Sequence, residues 1–304
     1  CSRPRRDRPD ADRQKRRPRR GRLHSPGRDA EAVRYHYDVG NDFYALWLDR
    51  RMVYSCGYFA DGDDLDAAQE AKLDLICRKL RLRPGERLLD IGCGWGALIV
   101  HAAERYGVRA TGITLSEPQA ALARERIASA GLADRCQVEV RDYRALPDDW
   151  RFDKIASVGM VEHVGQRQLP AYFRNAFRLL EPGGLFLNHG IVRCGAPRSP
   201  GEWFVERRLR TWRSFTGVYV FPDGELVSAT EMLAPAEAAG FELRDLENLR
   251  EHYARTLRHW ARRLEARREE AVAMVGETVF RIWRLHHAAA AHGFEARRNG
   301  LVQM

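Results

Sequence analysis

The chain has 304 residues, of which 44% are hydrophobic, and a formal charge of +9 at neutral pH. This size allows one large core, or one core with a small cap. Six cysteines without C-x-x-C spacing argue against a disulfide framework or zinc site and favour free thiols in the cytoplasm. No apolar run of about 18 residues is present to span a bilayer, and residues 1–28 contain no apolar segment typical of a signal peptide.

The excess positive charge lies at the N-terminus. Residues 1–28 contain eleven Arg and one Lys against three Asp, whereas the remainder is balanced. With four prolines and few apolar residues, we expect a disordered basic arm over residues 1–30. It is either a solvated tail or a contact with an anionic membrane, worth about 1 kcal/mol per basic residue. Nucleic-acid binding is a third interpretation that we do not favour. We therefore expect a cytoplasmic protein, peripheral on the inner membrane face.

The region after the arm predicts a single catalytic domain over residues 31–304. Residues 31–80 are rich in aromatic residues, which suits either core filling or a helical lid over an apolar ligand, and we favour the lid. From residue 87, strand-like segments alternate with helix-like ones. The predicted strands are Arg87–Ile91, Arg109–Leu115, Gln137–Asp142, Lys154–Val158 and Leu185–Val192, and the helices between them are Ala97–Tyr106, Glu117–Ala130 and Leu169–Leu180.

This alternation predicts βαβ units and hence an α/β fold with a doubly wound, mostly parallel, Rossmann-like sheet. A long aromatic insertion at about 193–228 is interpreted as a second lid. Two helices are predicted near the end, Tyr253–Ala271 and Gly276–Ala291. Because the chain stops at Met304, we expect the last antiparallel strand of the sheet to be cut short.

The most informative segment is the apolar strand ending in Asp90, followed by Gly92, Gly94 and Gly96. Glycines let backbone N–H groups approach a ligand, and the following helix start supplies a positive dipole end. The G-x-G-x-G spacing differs from the dinucleotide G-x-G-x-x-G and favours S-adenosylmethionine (SAM) over NAD. Asp90 is placed to accept hydrogen bonds from a cationic or hydroxylated ligand.

Several further motifs follow in an order that identifies a family. They are H-Y-D-V-G-N-D-F-Y, Y-S-C-G-Y-F, L-D-I-G-C-G-W-G, G-I-T-L-S, V-E-H-V-G, F-P-D-G-E-L and L-R-E-H-Y-A-R-T-L. From about Tyr35 to Phe294 the chain resembles the cyclopropane-fatty-acyl-phospholipid synthase and mycolic acid cyclopropane synthase family. These are class I SAM-dependent methyltransferases.

The resemblance implies two sets of site residues. Along SAM would lie Tyr37, Tyr54 and Ser55, with Gly92, Gly94 and Gly96 behind its methionine portion, Thr114 and Gln119 on the ribose side, and Asp142 and Tyr143 on the adenine side. A bicarbonate ion would be held by Cys56, Glu162, His189, Ile191 and Tyr253, through side chains or nearby backbone groups.

The function implied is transfer of a methyl group from SAM to a cis double bond of an unsaturated acyl chain, carried by a phospholipid or an acyl-carrier thioester. The product is a cyclopropane or a methyl branch. Orientation of the reactants, exclusion of water and a base for the departing proton are the requirements of this chemistry. Two alternatives remain open: N- or C-methylation of a small amine or natural product, and a non-catalytic lipid-binding protein. The sequence makes no prediction of oligomeric state.

Overall fold

The protein is described here by a computed structural model that covers residues 22–37, 39–60, 62, 64–194 and 215–304. Its described strands form one seven-stranded sheet in the order β3-β2-β1-β4-β5-β7-β6. Strands β1 to β5 run parallel to one another, and β7 runs antiparallel to both β5 and β6. The strands are β1 Arg87–Ile91, β2 Arg109–Thr114, β3 Cys136–Val140, β4 Phe152–Val158, β5 Leu180–Arg193, β6 Glu247–Asn248 and β7 Asn299–Gln303.

The helices cover both faces of the sheet and precede and follow it in the chain. They are α1 Pro26–Tyr37, α2 Asn41–Ala45, α3 Leu65–Lys79, α4 Ala97–Tyr106, α5 Glu117–Ser129, α6 Leu169–Leu179, α7 Phe215–Tyr219, α8 Ala229–Ala238, α9 Arg250–Ala266 and α10 Arg268–Glu295. Side-chain caps fix several of the starts: Asp64 accepts from the N–H of Ala67 at α3, and Ser116 from that of Gln119 at α5. The predicted α/β class and its parallel sheet are confirmed.

The C-terminal part of the sheet differs from the prediction. Strand β7 is formed and pairs with β5 over five residue pairs, from His189↔Gln303 to Arg193↔Asn299. The expectation that this strand is cut short was therefore wrong, because the few residues after Gly300 suffice for a full antiparallel pairing. The two helices predicted near the end are present with different bounds: the first ends at Ala266 instead of Ala271, and the second begins at Arg268. A φ of 82° at Gly276, which glycine adopts without a Cβ clash, interrupts the second helix.

The N-terminal helix corrects the arm boundary. Helix α1 begins at Pro26, inside the predicted arm, and is tied to the body by ion pairs of Arg28 with Asp223 at 2.8 Å and Asp29 with Arg144 at 3.0 Å. Residues 22–30 are thus partly helical rather than disordered, and residues 1–21 lie outside the described residues. Of the predicted lid insertion, residues 195–214 also lie outside them.

Three aromatic side chains of the N-terminal segment, Phe43, Tyr44 and Trp47, are at most 1% exposed. They pack with Trp260 of α9 and Trp283 of α10, with ring centroids 5.5 to 5.7 Å apart in the contacts that link the two regions. These three residues fill the core, which is the first of the two interpretations; the lid over an apolar ligand stays a prediction. Among the described residues, no helix is long and apolar enough to cross a membrane.

The 3₁₀ turn Val161–His163, which follows β4, packs closely against Gly190 of β5. A Cβ added there would lie 2.3 Å from Cγ1 of buried Val161, a distance that requires backbone or side-chain movement.

We expect Gly190→Ala to lower the free energy of unfolding by about 1–3 kcal/mol, as overpacking of a core does. Chemical denaturation measures this. Gly27→Ala in α1, where nothing lies within 4 Å, is the control and should not destabilise; equal stability of Gly190→Ala and wild type would contradict the packing.

Candidate active site

A cavity opens at the carboxyl ends of β1 and β4, where parallel α/β sheets bind their ligands. It is lined by residues from the segment before the sheet, from the glycine loop and from the end of β4: Tyr37, Tyr54, Ser55, Lys72, Asp90, Gly92, Gly94, Trp95, Gln119, Val158 and Gly159 among others. Seven of the eleven residues expected along the cofactor, namely Tyr37, Tyr54, Ser55, Asp90, Gly92, Gly94 and Gln119, are therefore brought together.

At Gly92 and Cys93 the glycine loop gives the ligand cavity space and no free backbone donors. The N–H groups of Gly92 and Cys93 both donate to the carbonyl of Ile113 on β2, at 2.9 and 3.0 Å, and so are already used. A Cβ at Gly92 would lie 3.1 Å from Met160, and the φ of 86° there also disfavours other residues. The sequence expectation that loop N–H groups face the ligand is thus wrong at these two positions.

Asp90 and Lys72 place opposite charges on the cavity wall. Both side chains are buried, and Oδ1 of Asp90 has no hydrogen-bond partner among the described residues. Burial raises the pKa of Asp90 to about 7, opposed by the positive charge of Lys72. Burial also lowers the pKa of Lys72 to about 8. Charged groups held out of water in this way are typical of ligand sites.

Two of the four remaining cofactor residues, Thr114 and Gly96, act behind the cavity wall. Thr114 donates its hydroxyl to Oε1 of Gln119 at 2.9 Å and thereby fixes the amide that faces the cavity. Gly96 allows α4 and α5 to approach, since a Cβ there would meet Cβ of Ala123 at 3.1 Å. Neither Thr114 nor Gly96 lines the cavity itself.

Asp142 and Tyr143 follow β3 at the same edge of the sheet but are not among the residues that line this cavity. Both carboxylate oxygens of Asp142 accept from the Arg144 guanidinium, at 2.8 and 2.6 Å. Arg144 in turn donates to the carbonyl of His24 and pairs with Asp29 of α1. The adenine-side role implied by the resemblance stays a prediction, and the contacts present tie this turn to α1.

Glu162 lies in a short 3₁₀ turn after β4 and is buried. Its Oε1 accepts from the backbone N–H of Ile191 at 2.7 Å, whereas Oε2 has no partner among the described residues. Burial raises the pKa of Glu162 to about 7, and the Ile191 hydrogen bond opposes this only in part. The N–H of Ile191 therefore orients Glu162, and the contact of Ile191 or its neighbouring backbone with an ion stays a prediction.

His189 precedes Ile191 by two residues on β5, so both point to the same face of the strand. Its side chain is 1% exposed, and burial lowers its pKa well below the ordinary value. Nδ1 lies 3.0 Å from the amide Nε2 of Gln303 on β7, while Nε2 has no partner among the described residues. With the amide nitrogen of Gln303 on this side, Nδ1 accepts, and the proton of the neutral ring is then on Nε2.

Cys56 and Tyr253 complete the predicted ion ligands. The Cys56 thiol is buried and donates to the carbonyl of Gly57 at 3.1 Å; burial raises its pKa, so it remains a neutral thiol. Burial and then the charge of Glu162 raise the pKa of Tyr253 well above its ordinary value. Burial, with a smaller contribution from Glu162, also raises the pKa of Tyr37 to about 12. Glu162 therefore lies close enough to Tyr253 and to Tyr37, on the cavity wall, for its charge to act on both.

Aromatic rings form the outer wall beside this group. Tyr54 lies 5.2 Å from Trp260 and 5.4 Å from Trp47 between ring centroids, and it is stacked with His36 at 5.6 Å. Trp95 is fixed by a hydrogen bond from its Nε1 to Asn41 at 2.8 Å. Packed rings of this kind exclude water and present electron-rich faces to a positive charge.

Two residues of the site were missed from the sequence, although each carries a signal. Lys72 occupies the apolar stripe of α3, in register with Leu65, Ala68 and Ile76, where a solvated lysine is unexpected. Gln303 follows an apolar run and was read as part of a strand cut short, yet it is fully buried against His189.

The fold and the cavity together define a class I SAM-dependent methyltransferase. A sequence profile of the mycolic acid cyclopropane synthetases matches residues 24–304, and the chain belongs to this family.

Curated and solved relatives agree with this membership. The chain is 48% identical over 280 residues to a probable fatty acid methyltransferase of Pseudomonas putida, covering 90% of this chain and 68% of that protein. It is 38% identical over 269 residues to the cyclopropane-fatty-acyl-phospholipid synthase of Escherichia coli, covering 88% and 65%. A crystal structure of a mycolic acid cyclopropane synthase complexed with SAH and CTAB superposes with a TM-score of 0.83 at 34% identity, covering 90% and 96%.

The raised pKa of Glu162 gives a stability prediction with a definite sign. The folded state holds the proton until about pH 7 but the unfolded chain releases it near its ordinary value of 4.5, so wild-type stability falls as pH rises between these values. Glu162→Gln removes this loss. We therefore expect the free energy of unfolding of Glu162→Gln, relative to that of wild type, to be more favourable at pH 8 than at pH 4 by on the order of a few kcal/mol. Chemical denaturation at both pH values measures this. The exposed Glu104→Gln is the control, with the same difference from wild type at both pH values; a pH-independent Glu162→Gln difference would refute the assignment.

Proposed function

We propose that this protein transfers a methyl group from SAM to a cis double bond of an unsaturated fatty acyl chain, giving a cyclopropane or methyl-branched product. The observation that carries the proposal is the buried Glu162, whose Oε2 lacks a partner among the described residues and whose charge acts on Tyr37 of the SAM-class cavity. A proton-handling carboxyl group in a dry, aromatic site is what ring closure after methyl transfer requires. The relatives named for fatty acid methylation and cyclopropane synthesis support the substrate class.

The cavity residues fit SAM by their chemistry. When bound, SAM supplies a methyl group on a positively charged sulfur. Asp90, with its unpartnered buried oxygen, would accept from the cationic amino group of the methionine portion. Gln119, held by Thr114, would face a ribose hydroxyl, and Gly92 leaves space that a Cβ would fill.

The aromatic wall would hold the acyl chain and exclude water. Methyl transfer places the new carbon on one alkene carbon and leaves a positive charge on the other. The faces of rings such as Tyr54 and Trp260 stabilise a nearby cation, and their close packing limits quenching by water. In this proposal the double bond lies in line with the methyl group, since orientation supplies much of the rate.

A bicarbonate ion is the proposed base. A C–H bond of the transferred methyl would give its electron pair to close the ring, and a bound bicarbonate would be the acceptor for the proton released. His189 would donate from Nε2 to it, and Tyr253 from its hydroxyl, while Oε2 of Glu162 accepts the O–H of the ion. Cys56, a neutral buried thiol, would border the ion together with its neighbouring backbone.

Membrane contact through the basic N-terminal residues is the proposed route to a phospholipid substrate. Residues 1–21 hold most of the excess positive charge of the chain, and each basic residue near an anionic surface contributes about 1 kcal/mol at low salt. This contact would bring the cavity to the inner leaflet as a peripheral protein.

The methyl-transfer proposal is tested with purified protein, SAM carrying a labelled methyl group and vesicles of an unsaturated phospholipid. We expect label in the acyl chains by mass spectrometry. Glu162→Gln should retain SAH affinity while turnover falls by about 10²- to 10⁴-fold, the range for loss of proton transfer. Glu104→Gln is the matched surface control and should keep full turnover.

Label that enters a small amine but no lipid would reject the proposed substrate. In the same assay, depletion of bicarbonate should slow wild type and its return should restore the rate; a rate indifferent to bicarbonate would remove the ion from the proposal while leaving Glu162 itself as the candidate base.

Deletion of residues 1–21 tests the membrane contact. The truncated protein should bind vesicles containing phosphatidylglycerol more weakly than the full chain at low salt, and the difference should shrink as ionic strength rises, because screening weakens surface electrostatics. SAH affinity is the control and should stay unchanged. Equal vesicle sedimentation of both forms would show that these residues are only a solvated tail.

A further inference from the structure

Lys72 is a buried cation on the wall of the cofactor cavity, and the role of its charge remains unassigned. It lies on α3, is 1% exposed and lines the cavity together with Asp90 and Ser55. Its Nζ donates to Oγ of Ser55 at 2.9 Å. No carboxylate of the described residues lies within 4.0 Å of Nζ, so this ammonium is held out of water without an anion beside it.

The hydrogen bond between Lys72 and Ser55 has only one possible direction. An ammonium group has three donors and no acceptor, so the Ser55 oxygen must accept. The hydroxyl hydrogen of Ser55 is thereby left to donate elsewhere, and Ser55 lines the cavity. The pair therefore presents a positive charge and a hydroxyl donor to the same space, which is the chemistry that binds a carboxylate.

Asp90 provides the complementary half of the site. Its Oδ1 lacks a partner among the described residues and it lines the same cavity. One anion and one cation on the wall of a single cavity match a ligand group that itself carries both charges. The amino-acid end of SAM is such a zwitterion, with a carboxylate and an ammonium on one carbon.

We propose that Lys72, acting through and beside Ser55, binds the carboxylate of the cofactor and so selects ligands that retain the amino-acid end over nucleosides that lack it. This inference rests on the SAM-binding class of the protein and is independent of the acyl substrate. It makes Lys72 a cofactor-binding residue rather than a packing residue of α3.

The pH dependence of binding follows from the same arrangement. Lys72 faces Ser55, Cys56, Cys77, Asp49 and Asp90, and burial lowers its pKa to about 8 although the two carboxylates oppose the shift. Loss of its proton removes the charge that attracts a carboxylate. Affinity for a carboxylate-bearing ligand should therefore fall as pH rises through about 8 and beyond, whereas affinity for a ligand without that group should not follow Lys72.

The experiment compares two ligands that share the adenosine and thioether: S-adenosylhomocysteine (SAH) and 5′-methylthioadenosine, which lacks the amino-acid end. Calorimetric titration of the full chain is expected to give a loss of SAH affinity of about tenfold or more for Lys72→Met. Affinity for 5′-methylthioadenosine should stay within about twofold of wild type, because that ligand has no carboxylate to lose. Ser55→Ala should act in the same direction, and the double variant should lose less than the sum because the two groups act together.

Lys79→Met is the matched control, since Lys79 lies on the same helix and pairs with Asp245 and Glu247 away from the cavity. It should change neither affinity. Equal losses for both ligands in Lys72→Met would assign Lys72 to the scaffold, and an unchanged SAH affinity would also overturn the proposal.

SAH affinity measured from pH 6.5 to 9.5 decides the case if Lys72→Met folds poorly. The ammonium of SAH loses its own proton toward the upper end of this range, so the profile is compared with that of Lys72→Arg, whose guanidinium stays charged throughout. A wild-type decline above about pH 8 that Lys72→Arg moves upward supports the proposal, and identical profiles of the two proteins reject it. Lipid methylation plays no part in these measurements, so their failure and the failure of the proposed substrate are distinguishable.

Discussion

The structure depends on holding ionisable groups out of water at the carboxyl edge of its sheet. Asp90 lies near the end of the first strand and Glu162 follows the fourth, and burial raises the pKa of both carboxyl groups to about 7. Each keeps one oxygen without a partner among the described residues. Burial of a polar group without full hydrogen bonding costs free energy, so folding alone does not favour these positions. A ligand that completes their hydrogen bonds gives a reason for the arrangement, and the same desolvation brings both groups to protonation equilibria useful near neutral pH.

The scaffold tolerates this cost because two packed regions surround the site. The sheet core supplies strands with buried residues on both faces, and the segment before it joins α9 and α10 in an aromatic cluster around Trp47 and Trp260. The second region closes the site against water. Polar contacts then set the orientations that the chemistry needs: Gln303 holds the His189 ring, and the N–H of Ile191 holds Glu162. The pairing of β5 with β7 therefore extends the sheet and also places Gln303 beside His189 of the site.

Local sequence was sufficient for elements whose pattern is local. The alternation of apolar strands and amphipathic helices predicts the parallel sheet, and the G-x-G-x-G loop after Asp90 predicts the cavity. Long-range contacts were not accessible in this way. The hydrogen bond from the N–H of Ile191 to Glu162, which follows another strand, could not be predicted from either segment. Lys72 was overlooked because its importance arises only when α3 is packed beside β1, and β7 was judged too short because its pairing with β5 could not be read from either segment alone.

The most direct test is a ¹³C NMR titration of the Glu162 side-chain carboxyl carbon in protein labelled at glutamate carboxyl groups, with the Glu162→Gln spectrum giving the assignment. The account predicts a midpoint near pH 7, because the group is desolvated and only half satisfied by hydrogen bonds. A midpoint at the ordinary value near 4.5 would mean that the carboxyl group is well solvated, and it would contradict the dry, proton-accepting site on which the proposed chemistry is built.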